Sequence, residues 1–159
     1  MAASSALRLA GLLTALLCAC SQVPVNRDSA PLWQGRLSVT VHDQPPSSMS
    51  AGFALSGQPR AGELSLYSPL GTTLAQLQWT DRSAHLHRGQ APERYASMDE
   101  LTEQVTGSSL PVTALFDWLQ GRPTAVPGWQ ADLSELAQGR LSAQRQFPPP
   151  AVTLRVKLD

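Results

Sequence analysis

The stretch Leu32-Trp33-Gln34-Gly35-Arg36-Leu37-Ser38-Val39-Thr40-Val41-His42 decides the fold. Trp33, Leu37, Val39 and Val41 alternate with Gln34, Arg36, Ser38, Thr40 and His42. A period of two places alternate side chains on opposite faces, so this is an amphipathic strand with one face for a core and one for water. Pro45-Pro46-Ser47-Ser48 breaks it. The pattern then returns in Ala51, Phe53 and Leu55, which end at Gly57-Gln58-Pro59. Residues 63–67 make a third strand with Leu64 and Leu66 on one face. Ser68-Pro69-Leu70-Gly71 interrupts, and residues 72–80 make a fourth strand carrying Leu74 and Trp79. Residues 83–88 are a short fifth.

Two helices follow. Ser97-Met98-Asp99-Glu100 is a capping box whose first-turn acids complement the helix dipole, and Gly107 ends that helix. The second starts at Leu110 with Pro111 in its first turn and stops at Gly121 and Pro123. Its Val112, Leu115, Phe116 and Leu119 form an apolar stripe beside Trp118. Strands resume over 129–133, 140–146 and 152–158. Short strands at regular spacing predict an antiparallel sheet of about eight strands, curled into a barrel or half-barrel with the helical pair across its mouth. An open sheet with one covered face is the plainer form of the same pattern.

At 159 residues the chain has room for one domain. Twelve basic and twelve acidic residues cancel. No cationic excess draws the chain to nucleic acid, which binds through clustered positive charge. The N-terminus is a separate signal. Arg8 precedes the apolar run Leu9-Ala10-Gly11-Leu12-Leu13-Thr14-Ala15-Leu16-Leu17, which is too short to cross a bilayer core of about 30 Å. Leu17-Cys18-Ala19-Cys20 then fits a lipobox. Residues 1–19 are read as a lipoprotein signal peptide and Cys20 as the lipid attachment site, bearing acyl chains such as palmitate. Cys20 is the only cysteine left after cleavage, so no disulfide is open to it. Residues 20–31 are polar and contain proline, as a flexible tether should be. Ser21 rather than Asp follows the cysteine, which favours the outer membrane over the inner one. The folded domain is predicted over 32–159.

No catalytic constellation assembles. His85 and His87 share one strand face near Asp81, but the remaining histidine, His42, lies on another strand, so no metal site is expected. Neither a Gly-x-Ser-x-Gly elbow nor a Gly-rich phosphate loop is present. Helix capping accounts for Asp99 and Glu100, and a solvated helix face for Glu103. The chain is expected not to be an enzyme and to carry no cofactor. The odd residue is Leu70, a large aliphatic at a Pro-x-Gly turn where polar residues usually sit. Either the turn folds back and packs Leu70 on the core, or Leu70 is an apolar tip for a bilayer or a lipid-binding partner.

Several segments together resemble the outer-membrane lipoprotein receptor family LolB. They are Gly35-Arg36-Leu37-Ser38-Val39, Ala51-Gly52-Phe53-Ala54-Leu55 and Ser68-Pro69-Leu70-Gly71-Thr72-Thr73. Next come Gly107-Ser108-Ser109-Leu110-Pro111-Val112 and Leu115-Phe116-Asp117-Trp118-Leu119-Gln120-Gly121-Arg122-Pro123. Gly128-Trp129 and the strand over 152–158 complete the match. The resemblance implies a mainly β fold: an unclosed antiparallel barrel with a short helical lid over a hydrophobic cavity. It also implies a protein that receives lipoproteins from the periplasmic carrier LolA, binds their acyl chains, and inserts them into outer-membrane lipid. The family's protruding-loop leucine falls on Leu70, flanked by Pro69 and Gly71. Phe53, Leu55, Leu64, Leu66, Leu74, Leu77, Trp79, Leu115, Trp118 and Leu119 are expected to supply cavity or lid surface. One departure is the short lead: twelve residues separate Cys20 from Trp33, where family members commonly have a longer, partly helical segment. Two other classes fit the pattern. A lipocalin-like binder of a small apolar ligand predicts a closed cavity with Leu70 buried. A structural envelope lipoprotein predicts a filled core and a flat polar face.

Overall fold

The computed structural model describes residues 32–89 and 91–159. The expected signal peptide, Cys20 and tether lie outside the described residues. Six strands come first: β1 (Trp33–His42), β2 (Ser47–Gln58), β3 (Ala61–Tyr67), β4 (Thr73–Thr80), β5 (Ser83–His87) and β6 (Glu93–Tyr95). Helices α1 (Met98–Thr106) and α2 (Val112–Leu119) follow, then β7 (Trp129–Asp132), β8 (Arg140–Arg145) and β9 (Ala151–Leu158). All nine strands form one sheet in the order β6-β5-β4-β3-β2-β1-β9-β8-β7, and every pairing is antiparallel. The last strand returns beside the first, with Leu37 opposite Val156 and Val39 opposite Leu154. β6 and β7 are left as free edges, so the sheet is unclosed and its curl is completed by helices rather than by hydrogen bonds.

Alternation does what the sequence predicts. Leu37, Val39 and Val41 are buried from β1, Ala51, Phe53 and Leu55 from β2, and Val152, Leu154 and Val156 from β9. The intervening polar residues face outward. Gly35 is required where β1 meets β9, because a Cβ there would run into the Lys157 carbonyl oxygen. Two differences have local causes. β6 escaped the sequence reading because three residues, two of them charged, carry no alternation; backbone pairing of Ala84 with Tyr95 and Leu86 with Glu93 makes it a strand. β2 begins at Ser47 rather than near Ala51, since Ser47 and Ser48 pair with Val41 and Thr40 although they bury nothing.

The helices form from local signals. The Ser97 hydroxyl accepts from the Glu100 amide at 3.1 Å, and the Glu100 carboxylate accepts from the Ala96 amide at 3.0 Å. Gly107 stops α1 with φ of 80°, its N–H donating to the Glu103 carbonyl at 2.8 Å. The Leu110 amide then donates to the buried Thr102 hydroxyl at 2.9 Å, which sets the entry of α2 against α1. At the far end of α2, Asp117 accepts from the Thr124 hydroxyl at 2.6 Å and pairs with Arg122. The Trp118 indole N–H donates to the Thr124 carbonyl at 2.9 Å. The Asp-Trp-Leu-Gln-Gly-Arg-Pro-Thr segment is therefore a staple that ends α2 and holds Trp118 in place.

The Thr124 hydroxyl and then the Arg122 guanidinium hold the Asp117 carboxyl below the usual carboxylate range. A lowered folded value stabilises the protein above the unfolded carboxyl value of about 3.9 and loses that contribution as pH falls through the folded value. Asp117→Asn should therefore lower the urea midpoint at neutral pH and flatten its fall below about pH 4. Parallel denaturation curves of the two proteins at neutral and acid pH check this.

Candidate functional site

The concave face of the sheet and the helical pair meet in one apolar cluster. Of the ten side chains expected there, Phe53, Leu55, Leu64, Leu66, Leu77, Trp79, Leu115, Trp118 and Leu119 are all buried in it. Phe116 sits at the centre of the contact. Its ring meets Trp33 edge-on at 5.7 Å and Trp79 edge-on at 6.1 Å. Phe116 belongs to the predicted stripe of α2, but a stripe shows which face is apolar, not which member reaches deepest. Trp118 continues the contact to Trp129 at 6.5 Å, and the Arg145 guanidinium lies over Trp129 at 5.7 Å. Arg145 also donates to the Ser108 hydroxyl at 3.1 Å, tying the α1–α2 connection to the barrel rim. The indole N–H of Trp79 donates to the Pro59 carbonyl at 3.0 Å, so both core tryptophans have their polar atom satisfied. Lid and barrel thus bury each other's apolar faces, and where a hydrophobic cavity is expected the described residues instead form a filled apolar core, because the α2 stripe led by Phe116 packs directly on the strands. Clefts of about 300 to 560 Å³ lie on the outer, polar face of the sheet.

Leu74 differs from the expectation. It is 49% exposed and does not join the interior. The β3–β4 register shifts at Leu66/Tyr67, with Tyr67 opposite Thr73 and Leu66 opposite Ala75, so Leu74 is the extra residue of a bulge. Period two counted from Trp79 through Leu77 and Ala75 also sends Leu74 to the opposite face.

The turn between β3 and β4 does not fold back to pack Leu70 on the core. Its backbone is closed on itself: the Ser68 amide donates to the Thr72 carbonyl at 2.8 Å, and the Gly71 amide to the Ser68 carbonyl at 2.9 Å. The Ser68 hydroxyl accepts from the amides of Leu70 and Thr72 at 3.3 and 3.2 Å. The side chain of Leu70 points away, 94% exposed, with Pro69 and Gly71 exposed beside it. Phe147, which the sequence reading passed over, is 74% exposed on the β8–β9 connection. The polar candidates stay apart. His85 pairs across the outer face with Gln78, while the His42 ring nitrogen contacts the Thr153 hydroxyl at 3.0 Å. Glu63 accepts from Ser65, Gln76 and Gln78, a network that keeps this carboxylate occupied on the outer face.

A family model described as outer membrane lipoprotein LolB matches residues 32–154. The chain belongs to the LolB family. Among its relatives, the outer-membrane lipoprotein LolB of Ralstonia nicotianae is 35% identical over 142 residues, covering 82% of this chain and 67% of that protein. That of Cupriavidus metallidurans is 36% identical over 139 residues, with the same coverage. That of Bordetella pertussis is 35% identical over an alignment of 175 residues, covering 91% of this chain and 87% of its own. The family match spans the sheet, the lid and the Leu70 turn together.

Phe116→Ala should cost about 3–5 kcal/mol of folding stability, the usual range for emptying a buried aromatic site. It should also open an apolar void between lid and barrel. Denaturant unfolding measures the first effect, and a gain in binding of an environment-sensitive apolar dye measures the second.

Proposed function

We propose that this outer-membrane lipoprotein takes lipoproteins from the periplasmic carrier LolA, holds their acyl chains between lid and barrel, and releases them into the outer membrane. In this reading residues 1–19 are removed and Cys20 carries the lipid anchor. Residues 20–31 then tether the domain over 32–159 to the periplasmic face of the membrane. A fully extended tether of about twelve residues reaches roughly 40 Å, which keeps the domain close to its bilayer. Handover is binding chemistry alone, with no enzymatic step and no cofactor.

The observation that carries the reading is Leu70, an aliphatic side chain 94% exposed on a turn whose backbone is already hydrogen-bonded. Burial against the core would have been available to a turn that folded back, and it is not used. A closed binder of a small ligand has no use for such a tip; a purely structural lipoprotein shares the filled interior but leaves the exposed Leu70 without a role. The nine buried members of the expected cavity set supply the other half of the machine. Each methylene of an acyl chain exposed to water costs about 0.8 kcal/mol, so a carried chain needs continuous apolar contact on the way. The interior offers that contact once Phe116 and its neighbours on α2 move off the sheet. Direction then follows from ranking: acyl chains must bind this interior more tightly than the carrier and less tightly than the bilayer.

Leu70→Glu should leave folding and acceptance of cargo from the carrier intact and reduce delivery to liposomes roughly 10- to 100-fold, the range expected when a charge enters an apolar layer. A reconstituted transfer assay with separate acceptance and release steps makes the measurement. Release at the unaltered rate would remove the loop from the mechanism.

A further inference from the structure

Three cations stand in a row across three neighbouring strands on the outer face. Arg36 of β1 lies opposite Lys157 of β9, and Lys157 lies opposite Arg140 of β8. Arg155, two residues along β9 from Lys157, lies between Ser38 and Ser142 on the same face. Arg140 has a partner in Glu135 at 3.0 Å. Arg36, Arg155 and Lys157 are exposed, and among the described residues none has a carboxylate within ion-pair distance. Like charges directly opposite on paired strands repel. The strip therefore holds unsatisfied positive charge on a chain whose formal charge is zero.

Its position gives the strip a direction. Arg36 and Ser50 line one cleft with Arg140, Arg155 and Lys157, and a second cleft with Ser68, Pro69 and Gly71 of the Leu70 turn. The basic strip and the base of the apolar tip are thus one continuous surface. Asp132 and Glu135 line the first cleft together with these cations, and Asp159 lines the second with Arg36, but of these three carboxylates only Glu135 pairs with a cation of the strip, Arg140. We propose that Arg36, Arg155 and Lys157 bind the phosphates of anionic phospholipid headgroups when the Leu70 turn enters the bilayer, fixing the angle at which the barrel meets the membrane. This deepens the delivery reading and rests on it. An apolar tip alone sets depth; cations beside it set orientation, because a headgroup layer attracts them only within about a Debye length of 8–10 Å.

The test uses the full lipidated chain in vesicles of phosphatidylcholine, with or without phosphatidylglycerol, and a fluorophore attached through Ser50→Cys. Quenching by a spin label on the lipid headgroup reports contact of this face with the membrane. Each cation near an anionic leaflet changes the docked population about five-fold. Quenching should therefore be strong only with phosphatidylglycerol, weaken with salt, and fall about 100-fold in Arg36→Gln/Arg155→Gln/Lys157→Gln. An unchanged thermal midpoint confirms that this variant is folded. Equal quenching in both vesicles, or equal quenching by the triple variant, overturns the proposal. So does a triple variant that docks normally but accepts cargo from the carrier slowly, since the strip would then serve a protein contact. Leu70→Glu separates the two failures: lost delivery in that variant beside normal docking of the triple variant removes only the headgroup contact, whereas normal delivery removes the reading beneath it.

Discussion

A curled sheet with one apolar face and two free edges has to bury that face against something other than itself. Here the something is a pair of short helices, and the rest of the structure follows from how they are held. α1 and α2 are nine and eight residues long, too short to persist alone in water. Their stability comes from the contact of Leu101, Leu115, Phe116, Trp118 and Leu119 with the strands, and from polar ties at each end. Those ties are few and specific: Ser97 with Glu100 at the start, Thr102 with Leu110 between the helices, and Asp117 with Arg122 and Thr124 at the close. The lid is thus held by one apolar patch and a handful of hydrogen bonds, whereas the sheet is held by its own ladder.

The outer face obeys a different rule. Polar residues satisfy one another across strands, as Glu63 does with Ser65, Gln76 and Gln78. Two features break that economy side by side. One is an exposed leucine on a turn that is otherwise closed, and the other is a strip of cations of which Arg36, Arg155 and Lys157 have no ion-pair partner among the described residues. Both leave an interaction unmade within the chain, one apolar and one electrostatic, and a phospholipid surface is a partner that offers both kinds at once. The bulge at Leu74 adds a second exposed aliphatic at the start of β4, two residues beyond the turn.

How much of this was legible beforehand depends on the residue. Strand alternation in 33–42 and 152–158, the Ser97 capping box, the Gly107 stop and the apolar stripe of α2 are local patterns, and they sit where the sequence places them. Nine of the ten side chains expected to supply cavity or lid surface are buried in the core, since a period of two or 3.6 assigns a side chain to a face but does not separate core from cavity. Leu74 is exposed because it is out of phase with Ala75, Leu77 and Trp79, which alternation within β4 already implies; the partner strand adds only that it is the extra residue of a bulge. β6 and the start of β2 were missed because backbone pairing, not side-chain burial, makes them strands.

The sequence alone thus determined the amphipathic strands, the capped helices and the family, because each is written in spacing between near neighbours along the chain. Only the tertiary structure decided that Leu70 points outward, that Phe116 rather than another member of its stripe lies between Trp33 and Trp79, and that Arg36, Lys157 and Arg140 line up. Those facts depend on which strands become neighbours. β1 and β9 are separated by most of the chain, and their register is fixed by the burial of the whole sheet face rather than by any local signal.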